Sequence, residues 1–491
     1  MIGTRAGWSR WQVEQKGIDW VSDAERHGQT SNLCWPLLAA NLSFFPVAVG
    51  VFIVDLGLSW WQAAVAVIVG LAISYPLVGL VALAGQRGGA PTMTLSRASF
   101  GYHGNKLPTA MNYCSAIGWE GVSLALASLT TRTMLKRISP GWDNSVILSV
   151  SYVVTAAATI VIAVYGHQLI MRAQRWIALA VSAAIVTYFV IVIPKLHFTF
   201  TSAQGTSSLV AGIVFVMAGN GLTRVTVAAD YSRRLPQSAS GLAVVGWMSF
   251  GAAIAPAVLL LFGVLLTTSN PQLALAVTAD PIGALADQLP TWFLVPFLLT
   301  TILSIIAAGV VNMYSSGMML LALGVRLRRP VAVLTDAALM MAVGLYLVFA
   351  APTFFGPFNA FLTVIAVGKA AWVAIFLMDL WLYSRHGYCT PDLYTPTGVY
   401  GRFNMAGLLS LLVAAAVGFG LVTSKDPNVG KVVGYLLTPS PRAGIIGVCN
   451  LGVLAAFVIA GVMYLTLSKP RCQQPRRPRL SARTGTNSGT S

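Results

Sequence analysis

Charged residues are scarce in this chain of 491 residues. Asp, Glu, Lys and Arg together make up 9% of the sequence, whereas hydrophobic residues make up 56%. Soluble domains carry about 25% charged residues, so this scarcity excludes both a soluble enzyme and a disordered protein. Acidic residues are the rarer kind, because 14 Asp and Glu stand against 31 Lys and Arg, which gives a net charge of +17. We expect the chain to lie mostly in lipid, with its surplus positive charge on cytoplasmic loops that face anionic headgroups.

Cysteines and nucleotide-binding motifs are also scarce. The five cysteines are scattered along the chain, without a CxxC pair or a His-rich spacing. This pattern indicates neither a disulfide framework nor a zinc site, and we predict no metal and no cofactor other than a coupling proton or sodium ion. There is no Walker motif to supply energy from ATP. The polar segments lack a basic helix with interleaved aromatics, so nucleic acid is not an expected partner.

Twelve apolar stretches are long enough to cross a bilayer, for which a helix needs about 20 residues. They are numbered here as spans 1 to 12 and lie near residues 32–55, 60–84, 109–134, 144–165, 175–194, 207–229, 241–267, 291–324, 331–350, 359–383, 404–423 and 444–467. The prediction is an all-α integral membrane protein with a twelve-helix domain over residues 32–467. A cytoplasmic segment precedes it at residues 1–31, and a basic cytoplasmic tail at residues 468–491, rich in Pro, Ser and Thr, is expected to be disordered.

Lys and Arg are distributed unevenly between alternate loops. With the N-terminus placed in the cytoplasm, 22 of the 31 fall on inside segments and 7 on outside segments. The positive-inside rule then places both termini in the cytoplasm, in a multi-pass protein of the cell membrane. The remaining two cations, Arg224 and Lys369, fall within spans. Arg224 is near the inner end of span 6, where we expect the side chain to reach the membrane surface.

Spans 1 and 6 both contain residues that interrupt a helix. In span 1, Asn41 is followed by Pro46, and proline removes a backbone donor and disfavours helical geometry at the preceding residue. In span 6 the run Gly219-Asn220-Gly221 is a natural point for the chain to leave the helix. Breaks five spans apart are what an inverted repeat of five helices would produce, with substrate and coupling ion at the half-helix ends. The alternative is a proline kink and a Gly-rich packing face.

Ionisable side chains inside spans are costly and usually functional. Glu120 in span 3 follows Trp119 and lies close to Ser123. An indole beside a carboxylate and a hydroxyl suits a flat ligand, because the ring stacks while the polar groups bind the ligand's edge. Glu120 is also a candidate carrier of a symported proton, since removal from water favours its protonated form. The alternative is a structural ion pair with Lys369 or Arg224.

Two further polar side chains lie in spans 10 and 8. Lys369 in span 10 is too deep to reach the membrane surface readily. It either pairs with Glu120 or takes the place of a bound cation as a tethered positive charge. Asn312 in span 8 offers two donors and an acceptor, which suit the edge of a heterocycle, although a hydrogen bond between helices is an equal alternative.

Several short motifs that are typical of one family are distributed over much of the chain, between about residues 25 and 405. They are Ala39-Ala40-Asn41, Gly57-Leu58-Ser59, the loop from Gly89-Ala90-Pro91 to Gly101, Ala229-Asp230-Tyr231-Ser232-Arg233, Asn312-Met313-Tyr314-Ser315, and Asp392-Leu393-Tyr394. Together they resemble the nucleobase:cation symporter-1 family, and most of all its purine-cytosine permease branch. The resemblance implies a LeuT-like core of two inverted five-helix repeats with two peripheral helices. It also implies cation-driven uptake of a nucleobase or similar heterocycle by alternating access.

The resemblance also implies roles for individual residues. Trp119 matches the stacking aromatic of span 3, and Ser123 falls near a position that is often Asn or Gln in the family. Asn312 matches the substrate amide of span 8. The run from Gly219 to Gly221 matches the unwound part of span 6.

Two departures from the family pattern bear on the substrate and the coupling ion. The family usually has a second aromatic residue near the break in span 6, but the string Gly-Asn-Gly-Leu-Thr-Arg contains none. Sodium-coupled members use span 8 hydroxyls just before the asparagine, where this chain is poor in hydroxyls after Ser304. We therefore predict coupling to a proton rather than to sodium, with Glu120, Asn41 and Lys369 as candidate ion-coupling residues.

The leading hypothesis is a secondary active transporter that imports a cytosine-like or purine-like nucleobase by cation symport. A vitamin ring such as pyridoxine or thiamine, or a ureide such as allantoin, is the alternative substrate. An integral-membrane enzyme, using groups such as Glu120 and Asp230, is the hypothesis from a different class. It would need several catalytic groups at one membrane face, whereas acidic residues here are few and the loops are short.

Overall fold

The computed structural model describes residues 19–165, 167–196, 205–270, 272–324 and 329–469, and in these ranges the chain is helical without strands. Every predicted span contains at least one helix. Spans 2, 3, 4, 5, 7, 8, 10, 11 and 12 are the helices Trp60–Gly88, Lys106–Ile138, Ser145–Tyr165, His167–Val192, Gly241–Ser269, Thr291–Ala322, Phe355–Leu382, Met405–Gly420 and Gly452–Leu467. Spans 1, 6 and 9 are each divided: Cys34–Asn41 and Phe45–Asp55; Thr206–Gly219, Gly221–Arg224 and Ala228–Ser232; Arg329–Leu345 and the π-helical turn Tyr346–Ala350.

Not every span meets a strict test of length and hydropathy. Within the described residues, eight helical segments are long and apolar enough to cross a membrane, and the bent pair of span 1 makes a ninth. The helices of spans 11 and 12 are apolar but have 16 residues each. Span 3 has 33 residues, and its polar side chains lower its hydropathy. The prediction of twelve crossings therefore stays a prediction, although all twelve stretches are helical where predicted.

Span 1 is broken between Asn41 and Phe45, and its two parts, with the 3₁₀ turn that leads into the first, meet at an angle of 69°. The first half ends at Asn41, after which Leu42 is extended, with a ψ of 95°. Pro46 lies in the first turn of the second half. A missing N–H is harmless there, because the first donors of a helix have no acceptor within it. The predicted interruption of span 1 is confirmed.

Span 6 leaves α-helical geometry at Asn220 and again at the 3₁₀ turn Val225–Val227. Its long helix ends at Gly219, and Asn220 has a φ of −117° and a ψ of −94°, which no helix contains. A Cβ atom at Gly221 would lie 2.4 Å from the side chain of Ser74, so the missing side chain lets span 6 approach span 2 at this point. The predicted break is confirmed, but it is local, because the segment as a whole still forms one apolar stretch.

Helices that are five spans apart pack against each other. Span 2 runs along span 7, and span 3 runs along span 8. Span 1 also approaches span 7 closely, since a Cβ atom at Gly263 would meet the Val47 carbonyl oxygen at 2.0 Å. Spans 11 and 12 pack against each other and against span 10. This arrangement is the one expected of repeated five-helix units with two peripheral helices.

The segment after span 2 is buried although it is predicted to be a loop. It forms the short helices Thr92–Leu95 and Arg97–Phe100. The Arg97 guanidinium donates to the carbonyl oxygens of Leu393 and Ala322 at 3.0 and 3.2 Å, so this segment joins the ends of other elements. Further short helices lie in later connections, at Gln272–Ala279, Pro281–Ala286, Pro427–Gly430 and Pro439–Ala443, and another, Ile445–Val448, forms the start of predicted span 12.

The described part of the N-terminal segment packs against the end of span 2. The Val21 amide donates to the Gly89 carbonyl at 2.8 Å, and Arg26 donates to the Gln86 carbonyl at 2.7 Å. Most of the basic C-terminal tail lies outside the described residues, so its predicted disorder stays a prediction.

Candidate functional site

A cavity of about 180 Å³ lies between the two broken spans. The breaks in spans 1 and 6 form one side of its wall, and spans 3, 8 and 10 form most of the remainder. Seven of the nine residues singled out from the sequence line this cavity: Asn41, Trp119, Ser123, Gly219, Asn220, Asn312 and Lys369. The structure thus brings residues from five separate spans to one place, as the breaks predict.

Trp119 presents an aromatic surface and an unused donor to the cavity. Its ring packs edge-to-face against Phe358 and Phe361, with centroid distances of 5.7 and 5.9 Å. Its indole N–H is buried and has no hydrogen-bond partner in the described part of the chain. Buried indole N–H groups usually find a partner, whereas this donor is left unsatisfied among the described residues. Ser123 is tied locally, since its hydroxyl donates to the Trp119 carbonyl at 2.9 Å.

Additional rings come from spans 1 and 10 rather than from span 6. Phe45 and Phe358 both line the cavity, and their ring centroids are 5.4 Å apart in an edge-to-face arrangement. Neither residue was a candidate from the sequence, because each lies in an apolar run where an aromatic residue is also expected in a core. These rings give the cavity a second aromatic wall that the string around Asn220 does not provide.

Span 3 contributes two further polar side chains that sequence reasoning does not identify. Asn112 and Ser115 line the cavity two turns and one turn before Trp119, respectively. The side-chain amide oxygen of Asn112 and the hydroxyl of Ser115 are buried, and neither has a hydrogen-bond partner among the described residues. Buried polar atoms are normally satisfied, whereas these two are, within the described part of the chain, unsatisfied hydrogen-bonding groups in residues that line the cavity.

The two cations within the spans both reach this cavity. Arg224 donates to the Asn41 side-chain oxygen at 2.9 Å, and the Asn41 amide group in turn donates to the Ala252 carbonyl. Lys369 is 3% exposed, and its ammonium donates to the Thr223 carbonyl at 3.2 Å. The expectation that Arg224 extends to the membrane surface is wrong, because the break in span 6 turns this side chain towards span 1.

Glu120 and Gly221 do not line the cavity. Successive residues of a helix point about 100° apart, so Glu120 faces away from the side on which Trp119 meets the cavity. Glu120 is fully buried, and among the described residues it forms no ion pair with Lys369 or Arg224. The interpretation of Glu120 as a direct substrate contact is therefore corrected by its position. Gly221 packs against Ser74, which accounts for its small size.

Glu120 instead lies near Asp336 of span 9, since both carboxyl groups adjoin Ser316, and the two are called the carboxyl pair below. Asp336 is also fully buried, and it accepts hydrogen bonds from Tyr113 and, at 3.0 Å, from Ser316. Ser316 also adjoins Glu120, but its single proton is directed to Asp336 or to a backbone carbonyl. Neither Glu120 oxygen accepts a hydrogen bond within the described residues. No Lys or Arg acts on either carboxyl group in this part of the chain.

The carboxyl pair and the cavity are separated by the same two helices. In span 3, Trp119 lines the cavity and the next residue, Glu120, is one of the two carboxyl residues. In span 8, Ser315 lines the cavity and Ser316 contacts Asp336. A displacement of either helix would therefore change the position of residues at the cavity and at the carboxyl pair together. Asp336 was not singled out from the sequence, although an acidic residue inside a predicted span was the available signal.

Comparison with known proteins gives concordant results. Residues 20–447 match the model of a family described as permeases for cytosine/purines, uracil, thiamine and allantoin. A Bacillus subtilis (strain 168) protein named "Putative purine-cytosine permease YxlA" is 25% identical over 474 residues, which cover 94% of this chain and 97% of that protein. The allantoin permease of the same organism is 29% identical, but over only 92 residues, or 19% of each chain.

Solved structures with the same fold include two of Mhp1, a nucleobase-cation-symport-1 family transporter. The closed conformation, with bromovinylhydantoin bound, matches with a TM-score of 0.66 and 16% identity, over 93% of this chain and 96% of that one. The inward-facing conformation matches with a TM-score of 0.64 and 17% identity, over 93% and 95% of the two chains. The likeness confirms the predicted all-α, LeuT-like fold.

Proposed function

Because this chain belongs to the nucleobase-cation-symport-1 family, whose model describes permeases for cytosine/purines, uracil, thiamine and allantoin, we propose that it imports a nucleobase-like heterocycle by proton symport. The relatives are permeases and not enzymes. The chain is accordingly a multi-pass membrane transporter, and an integral-membrane enzyme is no longer a competing hypothesis. Both termini lie in the cytoplasm in this proposal, as the distribution of Lys and Arg predicts.

The observation that carries the proposal is the composition of the cavity wall. The Trp119 ring and the edges of Phe45 and Phe358 suit a flat aromatic or conjugated ring. Amide and hydroxyl groups of Asn112, Ser115 and Asn312 surround this aromatic part. A heterocycle satisfies both kinds of surface at once, because its face is apolar and its edge carries donors and acceptors.

A proton is the proposed coupling ion, and the carboxyl pair of Glu120 and Asp336 is its proposed carrier. Two carboxyl groups that are buried without a described cation are costly to ionise together, so we propose that they share a proton. Spans 3 and 8 carry both the pair and part of the cavity wall, so substrate binding is able to shift helices that contact the pair. Asn41, a candidate ion ligand, already accepts from Arg224, which favours a fixed cation over a sodium ion at that position.

Transport by purified protein in liposomes tests this function. A panel of labelled cytosine, uracil, orotate, adenine, hypoxanthine, urate, thiamine and allantoin would be offered under an inward proton gradient, an inward sodium gradient or no gradient. We expect uptake of at least one nucleobase, accelerated by the proton gradient and not by sodium. Acceleration by sodium alone would reject proton coupling, and uptake of thiamine or allantoin alone would reject the nucleobase. Uptake of no member under any gradient would reject the function as a whole.

A further inference from the structure

The charge of the cavity wall is of one sign. Arg224 and Lys369 both line the cavity, and the described lining residues include no Asp or Glu. The two cations lie near enough for their charges to act on each other. The wall therefore places two basic side chains beside a space that is able to hold a ligand.

The partners of these cations in the protein are neutral. Arg224 donates to a side-chain amide oxygen, and Lys369 donates to a backbone carbonyl. A guanidinium has five N–H donors and an ammonium has three, so these bonds use a small part of the available donors. Neutral acceptors do not neutralise a buried charge, which is costly unless an opposite charge accompanies it.

The two acidic side chains that the sequence suggests as partners are engaged elsewhere. Asp230, close to Arg224 in sequence, accepts from the Thr92 amide at 2.7 Å and from the Thr92 hydroxyl at 2.9 Å. Glu120 lies on the far side of span 3 with Asp336. Neither Arg224 nor Lys369 forms an ion pair with a carboxylate in the described ranges.

We propose that the transported heterocycle is an anion, with a carboxylate or an ionised ring imide that binds Arg224 and Lys369. This proposal rests on the transport function above and narrows its substrate class. The Trp119 ring stacks on the heterocycle, while the guanidinium and the ammonium bind its negative edge through charge-assisted hydrogen bonds. Symport of one proton with a singly charged anion moves no net charge, so uptake depends on the pH gradient and not on the membrane potential.

Binding of matched ring pairs tests the charge requirement directly. The pairs are uracil and orotate, hypoxanthine and urate, and nicotinamide and nicotinate, in which the second member is an anion at neutral pH. Dissociation constants would be measured on the full chain in detergent, with benzoate as an anion that lacks ring nitrogens. We expect at least one anionic ring to bind about tenfold tighter or more than its neutral partner, as hydrogen bonds to charged groups are stronger, and to bind tighter than benzoate.

Charge-removing variants link the preference to its residues. Lys369→Gln and Arg224→Gln should each reduce the preference for the anionic ring several-fold, whereas Lys369→Arg should keep part of it. Lys195→Gln is the matched control, because Lys195 is an exposed loop cation that donates to the Gln288 carbonyl. The wild-type ring pairs alone decide the question if a variant does not fold.

The outcomes separate this inference from the function on which it rests. If in all three pairs the neutral ring binds as tightly as its anionic partner, the charge requirement is wrong while heterocycle transport stands. If benzoate binds as tightly as the best ring, the cavity binds anions without recognising a heterocycle, and the proposed substrate class is wrong. An anionic preference unchanged in both Gln variants would also overturn the assignment to these residues. If neither these rings nor the transport panel bind, the function itself fails.

Discussion

Span 3 separates two regions of unbalanced charge, and the regions differ in what is able to balance them. On the Trp119 side, two cations face a cavity that holds space for a ligand. On the Glu120 side, two carboxyl groups are fully buried with the hydroxyls of Tyr113 and Ser316 and no described cation. An unbalanced charge in a low-dielectric interior is costly. The cavity side is able to take up an anion from water, whereas a proton is small enough to neutralise the enclosed side.

The largest expected effect is a difference in substrate affinity between a substitution on the cavity side of span 3 and one on its carboxyl side. Trp119→Ala removes a stacking surface, and base–aromatic stacking is worth about 1–3 kcal/mol, so we expect affinity for the transported ring to fall by roughly five- to 150-fold. Glu120→Gln should change affinity by less than about twofold, because it does not line the cavity. Binding assays on both variants measure the contrast. Equal losses in the two variants would mean that the faces of span 3 are not functionally distinct.

The second effect concerns the carboxyl side and appears in transport rather than in binding. Glu120→Gln keeps the volume but removes an ionisable group, so uptake should lose its acceleration by an inward proton gradient. Trp119→Phe is the control, since it alters the ring but leaves the carboxyl pair and its gradient dependence in place. Uptake by proteoliposomes over a series of external pH values gives the comparison. A Glu120→Gln variant with the wild-type pH profile would remove the pair from the coupling mechanism.

The third effect compares packing on the two sides. A Cβ atom at Gly121 would lie 2.3 Å from a Val343 methyl of span 9, and one at Gly118 would lie 2.2 Å from the Phe361 ring of span 10. Overpacking costs about 1–3 kcal/mol, so Gly121→Ala and Gly118→Ala should each lower the melting temperature by a few degrees. Only Gly118→Ala should also weaken substrate binding, because Phe361 packs against Trp119.

Gly141→Ala is the matched control for this pair. No atom lies within 4 Å of the position that its Cβ would take, so its melting temperature should equal that of the wild type. A Gly121→Ala variant that binds substrate worse than Gly118→Ala would contradict the assignment of the two faces.

The sequence was sufficient for the helices, the two breaks and most of the cavity. Asn41 with Pro46, and Asn220 between its glycines, interrupt helices by local chemistry that needs no neighbour. The burial of the segment after span 2 could not be predicted, because it depends on which elements pack around Arg97. Local chemistry thus predicts where the chain leaves a helix, but not what covers the segment that results.

The facing of side chains within apolar helices was the part that could not be predicted. The polar residues of span 3 are not gathered on one face that would orient the helix, so Trp119 and Glu120, which are adjacent in the sequence, looked like one site although they lie on different sides. Arg224 changes direction because of the break before it, and Phe358 looks like any core residue in sequence. Asp336 lies five residues into span 9, where a position near the membrane surface was equally compatible with the sequence.

The smallest expected effect comes from a third cluster, in which both signs of charge meet in water. Arg132 and Lys136 pair with Asp143 at 2.6 and 2.7 Å in the loop after span 3. The hydrogen bond from Lys136, opposed by desolvation and supported by Arg132, holds the pKa of Asp143 below its ordinary value of 3.8. The stabilisation is therefore present above that ordinary pKa and is lost as the pH falls towards the lowered one.

Exposed ion pairs contribute little because water and salt screen them. Asp143→Asn should consequently lower the melting temperature at pH 7 by less than Gly121→Ala does, and the difference from the wild type should shrink in high salt and again below about pH 4. Thermal unfolding of the two variants at both pH values measures this order. A larger loss for Asp143→Asn would show that balanced charge at the surface matters more to this protein than the packing around its buried, unbalanced clusters.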